Sequence, residues 1–309
     1  MWTSFLTERF CQRAAWAAKQ GIDAYRLYDR EHKDFSLTID WYNGAALLWF
    51  YPVQDGQRLD PDGPAQVTAQ VGQALALGPD HLFIKQRFVQ GSAQYQKSDP
   101  RGVIKVVAEQ GLQFEVNVSD YVDTGLFLDH RLTRARVREL SKGKRVLNLF
   151  AYTGSFSCYA RQGGAVETVT VDLSRPYCEW VARNFLLNGF KPDEQHRIQQ
   201  DDVLTFLKFA AKKPQRYDLI ICDPPTFSRG GHKRGKPFSL RRDYPHLIAS
   251  CLTLLAPQGR LLFSTNAQPF KLEQSKLPTG AYVQDFTQDS IPEDFKPGVP
   301  HRCYWITKS

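Results

Sequence analysis

The chain is 309 residues long, enough for one large domain or two ordinary ones, and 42% of it is hydrophobic, so a sizeable core can be filled. A formal net charge of +8 and a pI of about 9.1 favour a polyanionic partner. The start lacks a basic stretch followed by an apolar run and a cleavage site, no window has the uncharged length needed to cross a bilayer, and the six cysteines form no Cys-x-x-Cys pair. A secretory leader, a membrane span, a zinc ribbon and a dithiol redox motif are therefore not expected, and the scattered thiols suit a reducing, cytoplasmic setting with no metal.

In chain order, Trp2 to Gln20 has helical spacing of Phe5, Phe10, Ala14 and Ala17 and stops at Gly21. Phe35 to Asp40 and Ala45 to Tyr51 flank Asn43-Gly44, a hairpin signal. Pro64 to Leu77 reads as a helix ending at Gly78-Pro79, and His81 to Val89, Val103 to Ala108 and Leu112 to Val118 read as strands. Residues 1–120 are thus expected to form a small, hairpin-rich α+β domain. From 121 to 309 the pattern becomes strands alternating with helices. Arg145 to Phe150, Glu167 to Val171, His196 to Gln200, Tyr217 to Cys222 and Arg260 to Thr265 are the strands. Asp129 to Leu140, Ser155 to Gln162, Pro176 to Asn188, Leu204 to Ala211 and Tyr244 to Leu255 are the helices, and Cys303 to Thr307 is a last strand. Such alternation implies an α/β, Rossmann-like, doubly wound parallel sheet.

Four successive strands deliver polar groups to what must be one edge. The first runs into Phe150-Ala-Tyr-Thr-Gly154 and a helix start, whose free N–H groups suit a carboxylate or phosphate. The second ends at Asp172, where an acid accepts hydrogen bonds from ribose hydroxyls. The third ends at Asp201-Asp202, either of which is also placed to cap the next helix. The fourth ends at Asp223-Pro224-Pro225, followed by Phe227; two prolines cannot continue a central strand. The G-x-G-x-x-G dinucleotide fingerprint is absent, which disfavours a nicotinamide enzyme. The ordered set specifies a nucleoside with hydroxyls and an amine, and S-adenosylmethionine fits it. An acid, two prolines and an aromatic at this place are typical of enzymes that methylate planar nitrogen bases.

With these residues in hand, the sequence resembles the class I S-adenosylmethionine-dependent RNA methyltransferases. More closely, it resembles the C-terminal, guanine-N7 module of the bifunctional 23S rRNA guanine methyltransferases. The resemblance runs through 21–28, 94–97, Asp120 to Arg131, Leu147 to Gly154, Val171 to Ser174 and Asp223 to Ser228; this chain begins at the second of the two modules. The resemblance implies a small domain ahead of the class I sheet and a cofactor site made of Phe127, Asp129, Arg131, Asn148, Phe150, Tyr152, Thr153, Gly154, Asp172, Leu173, Asp202, Val203 and Asp223. Within it Asp172 binds ribose, Asp202 adenine, and Asn148 to Gly154 the methionine side, while Phe127, Asp129 and Arg131 close the pocket. Asp223, Pro224, Pro225 and Phe227 are the expected catalytic residues.

Methylation at pyrimidine C5 needs a cysteine nucleophile. Neither Asp223-Pro-Pro-Thr-Phe227 nor Phe263-Ser-Thr-Asn266 holds one, and Cys222 lies before the acid. Guanine N7 needs no general base; an exocyclic amine would, and Asp223 suits that too, so N7 ranks first through the resemblance alone. Expected partners are 23S rRNA or its precursor. One set of RNA contacts is Arg229, Lys233, Arg234, Lys236, Arg241 and Arg242, in a glycine-rich loop beside the motif; a second is Lys85, Arg87, Tyr95 and Lys97, where cations alternate with aromatics. The alternatives are methylation of another base nitrogen in rRNA or tRNA, and a non-catalytic RNA-binding assembly factor on the same fold. Oligomeric state is left open.

Overall fold

The computed structural model describes residues 2–32, 35–51, 63–86, 102–121, 123–191, 193–228, 237–296 and 298–308, and the chain divides into two compact units, 1–128 and 129–309. Their charge differs. The first holds 12 Lys and Arg against 15 Asp and Glu, the second 28 against 17, so the positive balance belongs to the second unit.

The first unit opens with helix α1 (Trp2–Gln20) and strands β1 (Ala24–Asp29), β2 (Leu37–Tyr42) and β3 (Ala46–Phe50). Helix α2 (Gly63–Leu75) leads to β4 (Leu82–Gln86), which pairs parallel with β3 and completes the order β1-β2-β3-β4. Asn43 and Gly44 take φ of +41° and +80°, so both central residues of the β2–β3 turn are left-handed, as the hairpin signal requires. A second hairpin pairs β5 (Ile104–Glu109) with β6 (Leu112–Asn117). The core packs Leu6 of α1 and Val67 and Val71 of α2 on Leu27, Ile39 and Leu48. β1 was missed in the sequence because its apolar residues are interrupted by Arg26, which is half-hidden and forks onto Asp40 at 2.8 and 3.2 Å.

The second unit is a seven-stranded sheet. Its elements are α3 (Arg131–Leu140), β7 (Arg145–Leu149), α4 (Ser155–Gln162), β8 (Glu167–Asp172), α5 (Arg175–Leu187), β9 (His196–Gln200), α6 (Val203–Ala210) and β10 (Tyr217–Cys222). A short ladder of β11 (Phe227–Ser228) with β12 (Phe238–Ser239) follows, then α7 (Leu240–Thr253), β13 (Leu255–Thr265), β14 (Ala281–Asp285), α8 (Thr287–Ser290) and β15 (Arg302–Lys308). The order is β14-β15-β13-β10-β7-β8-β9; β7, β8, β9, β10 and β13 run parallel, and β15 returns antiparallel. Side chains alternate between two cores. Val146, Leu219, Ile221 and Leu262 meet Val137 of α3 and Phe156 and Ala160 of α4. Leu147, Leu149, Ile220, Leu261 and Phe263 meet Phe206 of α6 and Leu247 and Ile248 of α7. Burial on both faces explains the continuous apolar runs in the sequence.

Some boundaries differ from expectation. α7 begins at Leu240 rather than Tyr244, with Pro245 inside its second turn rather than its first. β13 begins at Leu255 rather than Arg260, because a register shift against β10 lets the chain pair before and after an irregular stretch. β14, half exposed and polar, lacks the apolar run by which strands were recognised.

Gly154 caps α4 at φ +75°, and a Cβ there would stand 2.7 Å from Val181 Cγ1 on α5. Gly154→Ala is expected to cost about 2–4 kcal/mol in urea unfolding, from left-handed backbone plus overpacking. The double variant with Val181→Ala should lose less than the sum of the two single losses; additive losses would contradict the contact.

Candidate active site

β7, β8, β9 and β10 end level. Leu149 pairs with Val171 on one side and Cys222 on the other, and Asp172 pairs with Gln200. The residues that follow therefore emerge at one edge: Phe150, Leu173, Asp201 with Asp202, and Asp223. β7 is the first strand of the parallel set, and chain order runs outward from it to β9 on one side and to β10 and β13 on the other. At such a switch point the connections leave for opposite faces and open a crevice at the carboxyl ends.

Asp172 is tied to its neighbours. Tyr152 N–H donates to its Oδ2 at 2.9 Å and Ser174 N–H to its Oδ1 at 2.8 Å. Burial pushes its carboxyl up, and these N–H groups oppose that. Phe150, Tyr152 and Gly154 all have positive φ, at +55°, +52° and +75°, so the β7–α4 loop is held in a conformation that only fixed partners sustain. Those partners include Asp172 for Tyr152 and the Asn184 side chain, which donates to Thr153 O at 2.9 Å. Asp202 caps α6: Thr205 N–H donates to its Oδ1 at 2.9 Å, and among the described residues Oδ2 carries no hydrogen bond. Leu173 is 41% exposed beside Asp172, whereas Val203 is 3% exposed and belongs to the core.

Asn148 is buried, and its amide donates to Ser157 Oγ at 3.0 Å, clamping α4 onto β7. Arg131 forks onto Asp294 at 3.1 and 2.9 Å, both side chains almost wholly buried. Asp129 Oδ2 meets His301 Nδ1 at 2.9 Å. Burial raises the Asp129 carboxyl, but the hydrogen bond from His301 and the charge of Arg134 are among the influences that outweigh it and hold the group well below the usual carboxylate range. Phe127 closes the first unit and is 38% exposed.

The Asp223-Pro-Pro-Thr-Phe227 segment is stapled to the end of β13. Ser264 Oγ–H donates to Asp223 Oδ1 at 2.8 Å, and the Thr226 hydroxyl donates to Asn266 Oδ1 at 3.2 Å. Pro224 is buried and Pro225 exposed. Phe227 is 52% exposed although its backbone pairs with Ser239, so an aromatic face is offered from a fixed strand. Burial pushes the Asp223 carboxyl up to about 6 despite the Ser264 bond. Ser264, Asn266 and His130, whose Nε2 lies 3.8 Å from Asp223 Oδ2, were missed in the sequence. Polar residues at the end of β13, read by the rule applied to the other strands, would have drawn attention to the first two.

Of the cations expected at RNA, Arg241 and Arg242 are exposed at the start of α7. Arg241 donates to Gln268 O at 3.1 Å, and Arg242 is paired with Asp243 at 2.7 Å. Lys85 is corrected: it is 3% exposed with its ammonium on the Ser119 carbonyl oxygen, because it faces the interior of β4. Arg87, Tyr95, Lys97, Arg229, Lys233, Arg234 and Lys236 lie outside the described residues.

Comparison with known proteins accords with this geometry. Residues 26–275 match the family model of S-adenosylmethionine-dependent methyltransferases. The chain belongs to this family. Among curated members, the ribosomal RNA large subunit methyltransferase K of Neisseria meningitidis is 41% identical over 94% of this chain and 82% of its own length. The ribosomal RNA large subunit methyltransferases K/L of Methylococcus capsulatus and Hahella chejuensis are 39% and 40% identical over 99% and 100% of this chain. This chain spans only 42% and 43% of the length of those two. A protein described as a methyltransferase and solved with SAH superposes with a TM-score of 0.74 at 24% identity, over 98% of this chain and 81% of its own. A methyltransferase from Agrobacterium tumefaciens superposes at 0.66 and 18% identity, over 93% and 91%. At these identities the likeness is one of fold.

The donor set at the strand ends fits the family's cofactor. Asp172 and Asp202 offer carboxylate lone pairs to hydroxyl and amine donors, and none of the acidic groups named at this edge would welcome a diphosphate. The raised Asp223 has a measurable consequence. Its folded value near 6 exceeds its ordinary 3.8, so its contribution to stability is complete below about pH 4 and is lost as pH rises through 6. Asp223→Asn removes that loss and keeps the Ser264 partner. Relative to wild type, the variant is expected to gain about 1.4 kcal/mol between pH 5 and pH 8 in thermal or urea unfolding; a difference independent of pH would contradict the raised carboxyl.

Proposed function

We propose that this chain transfers the methyl group of S-adenosylmethionine to N7 of a guanine in 23S rRNA. The observation that carries the proposal is the row of Asp172, Asp202 and Asp223 on level strand ends, closed by an exposed Phe227. Asp172 accepts hydrogen bonds from the ribose, Oδ2 of Asp202 accepts from the adenine amine, Leu173 supplies an apolar wall, and the loop 150–154 receives the methionine side. Bound S-adenosylmethionine supplies a methyl group on a sulfonium, a leaving group that needs no protein nucleophile. Guanine N7 has an in-plane lone pair and no proton to lose, so the side chains need only hold the reactants in line. Phe227 stacks on the base, Asp223 meets its edge, and Pro224 and Pro225 keep the segment from continuing the strand.

Pyrimidine C5 chemistry finds no support at this edge. Cys222 is fully buried, and burial together with Cys251 keeps its thiol far from ionising. The names of the curated relatives support a large-subunit rRNA substrate, and the excess of cations in the second unit supports a polyanion there. The first unit, with more acids than bases, is read as an accessory domain rather than a phosphate clamp.

Calorimetry with S-adenosylmethionine should give a single site, weakened at least about tenfold by Asp172→Ala, which removes a charged acceptor. No uptake by the wild-type chain would favour an RNA-binding factor. Mass mapping of nucleosides in rRNA from a deletion strain, before and after treatment with the purified chain, should restore 7-methylguanine in 23S rRNA; a methyl group on another nitrogen or in tRNA would move the assignment there. Neutralising Arg234, Lys236, Arg241 and Arg242 together should weaken RNA binding and lower the slope of log K against log salt by about 0.7–0.9 for each lost phosphate contact. An unchanged slope would remove this loop from the RNA surface.

A further inference from the structure

Beside Asp223 lies a buried group of side chains that the chemistry above leaves unused. The His130 ring stacks on His301, with centroids 4.0 Å apart and planes at 16°, and meets the edge of Phe156 at 5.8 Å. His301 is held at both nitrogens, by Asp129 Oδ2 at 2.9 Å and by Ser290 Oγ at 2.8 Å. His130 Nδ1 lies 3.4 Å from Thr133 Oγ1. His130 is 4% exposed, and His301, Ser290 and Thr133 are each 0% exposed.

Asp129, His130 and His301 bring ligand atoms within 4.8 Å of one another, yet the stack argues against a shared metal ion. Imidazole lone pairs lie in the ring plane. Two nearly parallel rings 4.0 Å apart aim theirs side by side rather than at one point, so a single ion cannot sit at the usual ~2.1 Å from both.

We propose that His130, pinned by its stack on His301 and by the Asp129–His301–Ser290 chain, is a positioning residue that turns an N–H dipole toward the Asp223 carboxyl, at a separation longer than a direct hydrogen bond, and biases its orientation at the edge of the sheet. Two stacked imidazoles resist carrying a proton each. The uncharged member of the pair is His130. Burial first, and His301 next, push His130 down to about 3. We assign Nδ1 as the acceptor from the Thr133 hydroxyl 3.4 Å away, which leaves the ring proton on Nε2, the atom that lies 3.8 Å from Asp223. An uncharged donor orients the carboxyl without forming an ion pair that would pull it down to the ordinary range. The other titratable or charged groups around the pair are Asp129, His301, Arg134, Cys222 and Cys303.

This inference rests on Asp223 being the acid that meets the base, and its test separates the two. In the intact chain carrying 13C-labelled aspartate, the resonance lost in Asp223→Asn identifies Asp223, and its titration is followed in His130→Phe and His130→Gln. Phe keeps a ring on His301 but has no N–H; Gln keeps a donor. The expected result is a midpoint raised by about half a unit to one unit in His130→Phe and largely restored in His130→Gln. kcat for methyl transfer should fall about tenfold in His130→Phe with KM for cofactor and RNA unchanged, and recover in part in His130→Gln. If His130→Phe does not fold, His130→Gln against wild type still decides: a midpoint and kcat near those of wild type support a donor role, and a loss in both overturns it. Unchanged titration in a folded His130→Phe overturns the inference outright. A shifted titration alongside full activity in Asp223→Asn would leave His130 as the partner of Asp223 and refute the catalytic role of the acid instead.

Discussion

The reversal of strand order beside β7 is the constraint on which the rest of the second unit depends. Chain order runs from β7 through β8 to β9 on one side and from β10 to β13 on the other. Right-handed crossovers then send the connecting helices to opposite faces, and the strand ends between them stay open. The two cores follow from the same arrangement, since alternate residues of β7 and β10 feed the α3–α4 side and the α6–α7 side. Whatever binds at this edge does so against strands whose positions are set by packing on both faces.

The three carboxylates gathered there are alike in sequence and unlike in environment. Asp172 spends one lone pair on each oxygen to hold the β7–α4 loop and the turn into α5. Asp202 spends one oxygen on a helix cap. Asp223 has a hydroxyl partner on one oxygen and a histidine at longer range on the other, and its carboxyl is pushed up to about 6 by burial. Asp172, bonded on both oxygens, is the best satisfied of the three; the acid next to the exposed aromatic is held in a costlier state, as groups that await a ligand often are.

Much of this was readable from the chain. Asp223-Pro-Pro marks where β10 must stop, because proline lacks the ladder N–H, and Gly154 and Asn43-Gly44 mark left-handed turns that the structure contains. Side-chain partners across long sequence separations were not readable. Arg131 and Asp294 are 163 residues apart, and Asp129 and His301 are 172 apart; no local pattern announces such pairs. Lys85 was misjudged for a related reason: a cation in an alternating strand reads as exposed, yet its stem lies inside the first unit and its head on Ser119. Charge summed over the chain likewise hid that the bases concentrate in one unit.

In the proposed reading, a ligand at this edge meets acceptors that follow β8, β9 and β10 at once, which suits a nucleoside joined to a sulfonium better than a diphosphate. A crystal structure of the chain with S-adenosylhomocysteine tests that claim most directly. The account predicts ribose hydroxyls on Asp172, the adenine amine on Asp202 and the sulfur turned toward the segment from Asp223 to Phe227. Density for the ligand on any other face of the sheet, or with Asp172 and Asp202 untouched, would contradict it.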